Sequence, residues 1–177
     1  MKKHFLLIAL LFIATITFAQ VKHTVTKSSV TFKIKHLGVT VDGSFSGFKG
    51  DIQFDAAHLD ASSIEASVNA STVNTDNNSR DEDLKGDGYF DVEKYPKITL
   101  KSVSFKHKGG SNYTGMFNLT IKDKTKQVEV PFTYSETGST ASFKGSFKIK
   151  RTDYGVGGSS LIMSSDVVIA IDVTTSK

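Results

Sequence analysis

The chain has 177 residues, 38% hydrophobic and 23% charged, with 14 glycines, 2 prolines and neither cysteine nor tryptophan. That is the composition of a globular protein, so long disordered tracts and collagen-like repeats are excluded. A disulfide framework, a thiol nucleophile, an iron–sulfur cluster and a cysteine-linked lipid are excluded with the missing cysteine. The formal charge of +4 leaves no basic footprint for nucleic acid.

Residues 1–19 read as a secretory signal peptide. Lys2 and Lys3 make a basic start, Phe5–Ile16 an apolar run, and Ala19 a small residue for cleavage. The run is about 12 residues, short of the roughly 20 that a membrane helix needs. Cleavage after Ala19 leaves one domain, residues 20–177, and lowers the net charge from +4 to +2 by removing the two lysines. This predicts a periplasmic or secreted protein.

From Val21 onward apolar residues recur with period two. A first strand is expected near Val21–Lys27, followed by Val30, Phe32 and Ile34 alternating with polar neighbours. Phe45 and Phe48 break parity across Ser46-Gly47, as Leu100 and Val103 do across Lys101-Ser102, and both breaks predict a bulge or bend. Ile64–Ala70, Tyr113–Ile121, Val128–Tyr134, Phe143–Ile149 and Val167–Val173 complete the set. Short polar joints at Lys108-Gly109-Gly110, Asp123-Lys124 and Thr137-Gly138 fit hairpins. The fold class is all-β: a single antiparallel sheet of about eight strands, better suited to a sandwich or closed barrel than to an α/β fold.

One stretch does not alternate. Asn74–Lys85 is polar, with Leu84 its only large apolar residue, and predicts a short helix capped by Thr75 or Asp76. In a barrel this insertion would lie across one open end.

Strand alternation alone does not say which face turns inward. An outer-membrane barrel should carry aromatic girdles at its strand ends; here Phe32, Phe117, Phe132, Phe143 and Phe147 sit mid-strand, which favours an apolar interior. That interior can be solid or hold one small ligand. Gly115 and Gly145 share the apolar parity and remove filler, which leans toward a cavity, yet glycine also serves barrel bends. Catalytic patterns are missing. His23, His36, His58 and His107 form no metal-ligand spacing, and there is no nucleophile elbow, phosphate loop or dinucleotide motif. No metal or catalytic residue is assigned.

Three segments carry a family resemblance. Ser29–Asp55 is one. Asn74–Ser102 is another, with Arg80-Asp81, Leu84, Phe90-Asp91 and Tyr95-Pro96, and Leu119–Tyr134 is the third. Together they resemble the YceI-like family of exported bacterial proteins, although the family often has glycine where Asp123 or Lys124 stands here. The resemblance implies a lipocalin-like closed barrel whose elongated pocket holds a polyisoprenoid, an isoprenoid quinone or another long-chain amphiphile, with no enzymatic role established. Apolar parity on that fold selects Phe32, Ile34, Phe45, Ile98, Phe117, Leu119, Phe132, Phe143, Phe147 and Ile169 as pocket-lining residues. His36 and Arg80 are candidates for a polar head group, Arg80 through bidentate hydrogen bonds or, alternatively, paired with a carboxylate to pin the helix. A tail of about 20 to 40 carbons, at roughly 0.3 kcal/mol per atom, would offset the cost of association. Two other readings stay open: an enzyme acting on a bound lipid or quinone through Tyr113 or Tyr134, and a solid-core barrel with a surface role in adhesion or envelope stress. A transient membrane contact and a homodimer are further expectations.

Overall fold

The computed structural model describes residues 21–177; the expected signal peptide lies outside the described residues. Nine strands form one antiparallel sheet: β1 Lys22–His36, β2 Val39–Phe45, β3 Lys49–Gln53, β4 Ser63–Asn69, β5 Lys97–Gly109, β6 Asn112–Ile121, β7 Lys124–Thr137, β8 Thr140–Lys150 and β9 Met163–Ser176. Pairing runs β1-β3-β4-β5-β6-β7-β8-β9 and returns to β1, which closes an eight-stranded barrel and leaves β2 as an extra strand on β1. Closure pairs β9 with β1 and so removes the edge that β9 would present in an open sheet; among the described residues β2 keeps a free outer edge apart from the Ser44–Asn74 bridge.

Two parity breaks have different outcomes. In β5 the register slips between Ser102 and Ser104, a bulge that turns Val103 out to solvent. At Ser46–Phe48 the strand ends instead of bulging. Gly47 adopts φ 69°, and β2 and β3 run end to end along the same side of β1. The first strand is also longer than expected, continuous from Lys22 to His36 through a slip between Val25 and Lys27.

The apolar face does point inward. The outer face carries exposed cross-strand pairs, Lys33–Asp42 at 2.9 Å, Lys101–Glu65 at 3.4 Å and Lys144–Asp172 at 3.1 Å. Such pairs contribute at most about 1 kcal/mol each, but they make this surface one for water rather than for lipid tails.

The insertion forms α1, Asn78–Lys85. Its N-cap is Asn77, not Thr75 or Asp76: the Asn77 side chain accepts from the Arg80 N–H at 3.0 Å. With one large apolar residue, α1 is held chiefly by polar ties. Asp81 is buried and accepts from the Thr75 N–H at 2.9 Å and the Thr75 hydroxyl at 2.6 Å. After α1 the chain folds back, the Phe90 N–H donating to the Leu84 carbonyl at 3.0 Å. This sends Tyr89 and Phe90 toward the barrel, where Phe90 meets Phe45 edge-on at 5.4 Å.

Candidate functional site

The barrel interior is divided into a solid half and a hollow half. In the solid half, Phe54 lies at the centre, fully buried. Its ring packs against Phe105 at 5.5 Å, Tyr113 at 5.5 Å, Phe132 at 5.9 Å, Tyr134 at 4.9 Å and Phe143 at 5.4 Å. Most of these contacts are edge-to-face, the arrangement that aromatic quadrupoles favour. His23 is buried against the plug. Its Nε2–H donates to the Phe54 carbonyl at 3.0 Å, and Nδ1 lies 2.9 Å from the Thr175 hydroxyl. A carbonyl can only accept, which places the proton on Nε2.

In the hollow half a cavity of about 530 Å³ opens, lined by β1, β2, β4, β5, β6, β8, β9 and the insertion. Phe32, Ile34, Phe45, Ile98, Leu119, Phe147 and Ile169 all line it, as do His36 and Arg80. Phe117, Phe132 and Phe143 do not; they belong to the aromatic cluster around Phe54. Parity places a side chain inside the barrel but is blind to its height along the axis. The glycines also act otherwise than expected. A Cβ on Gly115 would collide with the Phe117 ring, and one on Gly145 would press on Val130 and Phe132. The space they vacate is taken by neighbouring side chains, so these two glycines permit dense packing and do not hollow the interior.

Asn77, Ser79 and Asp83 of the insertion line the cavity and are themselves exposed, which marks the mouth. Arg80 stands beside them. Its Nε–H donates to the Thr75 hydroxyl at 2.7 Å and its Nη2 to the Thr75 carbonyl at 2.8 Å, and no carboxylate pairs with it among the described residues. The alternative of an Arg80–carboxylate pair pinning the helix is therefore replaced by a link through Thr75.

Arg151 was not singled out by sequence reasoning, and it also borders the cavity. It is buried, and it donates to the carbonyls of Ser164 at 2.9 Å, Val156 at 2.9 Å, Gly158 at 2.9 Å and Met163 at 3.3 Å. The guanidinium thus fastens residues 156–164 to the end of β8. The Gly157 N–H in turn donates to the Gly88 carbonyl at 2.9 Å, joining this loop to the insertion.

Neither Tyr113 nor Tyr134 lines the cavity. The Tyr134 hydroxyl donates to Glu136 at 2.6 Å, and burial, followed by that bond, raises its pKa well above the usual phenol range. It is a protonated structural donor at neutral pH. Among the described residues no group of histidines and carboxylates has the geometry to hold a metal ion.

The YceI-like domain model matches residues 22–175, nearly all of the described chain. The chain belongs to the YceI-like family. Within that family, the UPF0312 protein of Shewanella oneidensis is 31% identical over 136 residues, covering 73% of this chain and 71% of that one. Among solved structures, Burkholderia cenocepacia BcnA superposes with a TM-score of 0.80 at 28% identity, over 83% of this chain and 95% of its own. A polyisoprenoid binding domain from Saccharophagus degradans superposes at 0.70 over 88% of this chain and 97% of its own; at 14% identity it shares the fold. The barrel of this YceI-like chain, half solid and half hollow, leaves a large apolar chamber with Asn77, Ser79, Arg80 and Asp83 on one side of its mouth.

Proposed function

We propose that this YceI-like protein is an exported carrier or store that binds one long-chain amphiphile tail-first in the barrel cavity. The observation that carries the reading is the roughly 530 Å³ chamber walled by Phe32, Ile34, Leu119, Phe147 and Ile169. Each methylene moved from water into such a wall gains about 0.8 kcal/mol in transfer terms, and an insoluble tail needs shelter in an aqueous compartment. A polar head group rests at the mouth, where Arg80 and His36 offer donors. The polyisoprenoid-binding name of the Saccharophagus degradans domain supports this class of ligand. The leader-like residues 1–19 support export.

The test is native mass spectrometry of protein purified from its host without detergent. A bound mass that dissociates as a lipid is expected. Empty protein that also fails to take up farnesol or a fatty amide would overturn the reading.

The rim supports loading from a bilayer. Six large hydrophobic residues are exposed among the described ones, and four of them sit close together: Leu37 and Val39 in the β1–β2 hairpin, and Leu161 and Ile162 in the loop before β9. The Leu37 N–H donates to the Ile162 carbonyl at 2.7 Å, joining the loops, and the adjacent His36, Val41 and Met163 line the cavity. Leu37 occupies the tip of the β1–β2 hairpin at φ 52°, a position that favours Asn or Gly. An exposed leucine there is costly for the fold and suits insertion among acyl chains. Leu37→Asn combined with Leu161→Ser is expected to slow transfer of a fluorescent fatty acid from phosphatidylethanolamine–phosphatidylglycerol vesicles about tenfold, equivalent to roughly 1.4 kcal/mol. Affinity for farnesol in solution should stay within about twofold of wild type, because neither side chain lines the cavity. Unchanged transfer would remove the bilayer from the reading.

A further inference from the structure

The cavity ends on a floor, and we propose that this floor limits the tail to three or four isoprene units. The inference rests on the reading above that the cavity takes an oily tail, and it concerns how much of one. A water molecule takes roughly 30 Å³ of liquid and a methylene about as much, so a cavity of about 530 Å³ holds on the order of 18 carbon atoms. That lies at the low end of the roughly 20 to 40 carbons whose burial would offset the cost of association.

The floor is built into β6. Leu119 is the deepest cavity-lining residue of that strand, and Phe117 is the next one facing inward. Gly115 follows, and because it lacks a Cβ the Phe117 ring lies flat over it. The ring is backed by Phe105 at 5.8 Å, which is itself 5.5 Å from Phe54 and 6.1 Å from Phe132. A tail descending past Leu119 therefore meets one phenyl ring supported by a second layer of rings. Phe54 is wholly buried and Phe105 is 9% exposed, and interiors packed this densely leave no channel for a chain. A longer tail has to leave its excess outside the mouth, in water, where it gains nothing.

Displacement of N-phenyl-1-naphthylamine by prenyl alcohols delivered from cyclodextrin tests the limit. Geraniol, farnesol, geranylgeraniol, geranylfarnesol and solanesol carry two, three, four, five and nine units. Affinity is expected to rise about tenfold per unit, the usual gain for five well-buried carbons, up to geranylgeraniol. Beyond it the gain should be less than about twofold. Phe117→Ala removes the ring and is expected to move the plateau to geranylfarnesol. Because that variant opens the plug and can fail to fold, Ala66→Phe is the companion: Ala66 lines the cavity from β4, and a ring there is expected to bring the plateau back to farnesol. Affinity that keeps climbing through solanesol, or a plateau that stays put in a folded variant, would overturn the limit while leaving lipid binding intact. Failure of every alcohol to displace the probe would overturn lipid binding, and the limit with it.

Discussion

Phe54→Ala is expected to lower the free energy of unfolding by about 4 kcal/mol, in the middle of the range for truncating a buried aromatic residue. The reason is its position. The ring has five aromatic neighbours within 6 Å and no exposure. Truncation both loses the transfer energy and leaves a void that stiff rings close poorly. Phe45→Ala makes the control. Phe45 lines the existing cavity and is only partly buried, so its loss enlarges a space already present and should cost about 2 kcal/mol. Urea unfolding of the two variants measures the difference. Equal losses would mean that the interior is not divided as described, and that the plug is no more tightly packed than the chamber above it.

Arg151→Met is expected to cost about 3 kcal/mol, since four backbone carbonyls lose their donor in a place with little water. Arg151→Lys should recover little of this, because one ammonium on a flexible stem cannot span acceptors that a planar guanidinium reaches at once. The effect should be local before it is global. Residues 156–164 are held by these bonds and by the Gly157–Gly88 link, so limited proteolysis should cut within that loop in the variant while the strands stay protected. A variant as stable as wild type, with the loop equally resistant, would show that the loop is fixed by something other than Arg151. The same loop carries Leu161 and Ile162, so its loosening should also blunt delivery from vesicles.

Much of this fold could be read along the chain because a closed antiparallel barrel repeats one local rule. Alternation marked the strands, short polar joints, two of them with glycine, marked three hairpins, and a polar stretch with a single leucine marked the insertion. Phe54, His23 and Arg151 escaped for a common reason. Phe54 follows β3 after its last paired residue, His23 sits at the start of β1, and Arg151 opens the turn after β8. Each lies at a strand end, where period two carries no information, and each gains its role from partners far away in sequence. Arg151 could have been noticed as one of only two arginines in the chain, but nothing local says that four carbonyls surround it.

The glycines mark the boundary most clearly. Their parity could be read, and a missing side chain suggested empty space; in the folded barrel Phe117 lies down over Gly115 and fills it. Period two decides whether a side chain faces in or out, since that follows from the pleat of its own strand. How far along the axis the interior is full depends on which rings from seven other strands arrive at the same height, and that height comes from register and closure. So the amino-acid sequence by itself determined an all-β chain with apolar faces and one polar insertion. Only the tertiary structure decided that the barrel closes with β2 left over, that its lower half is solid, and that a chamber remains above Phe117.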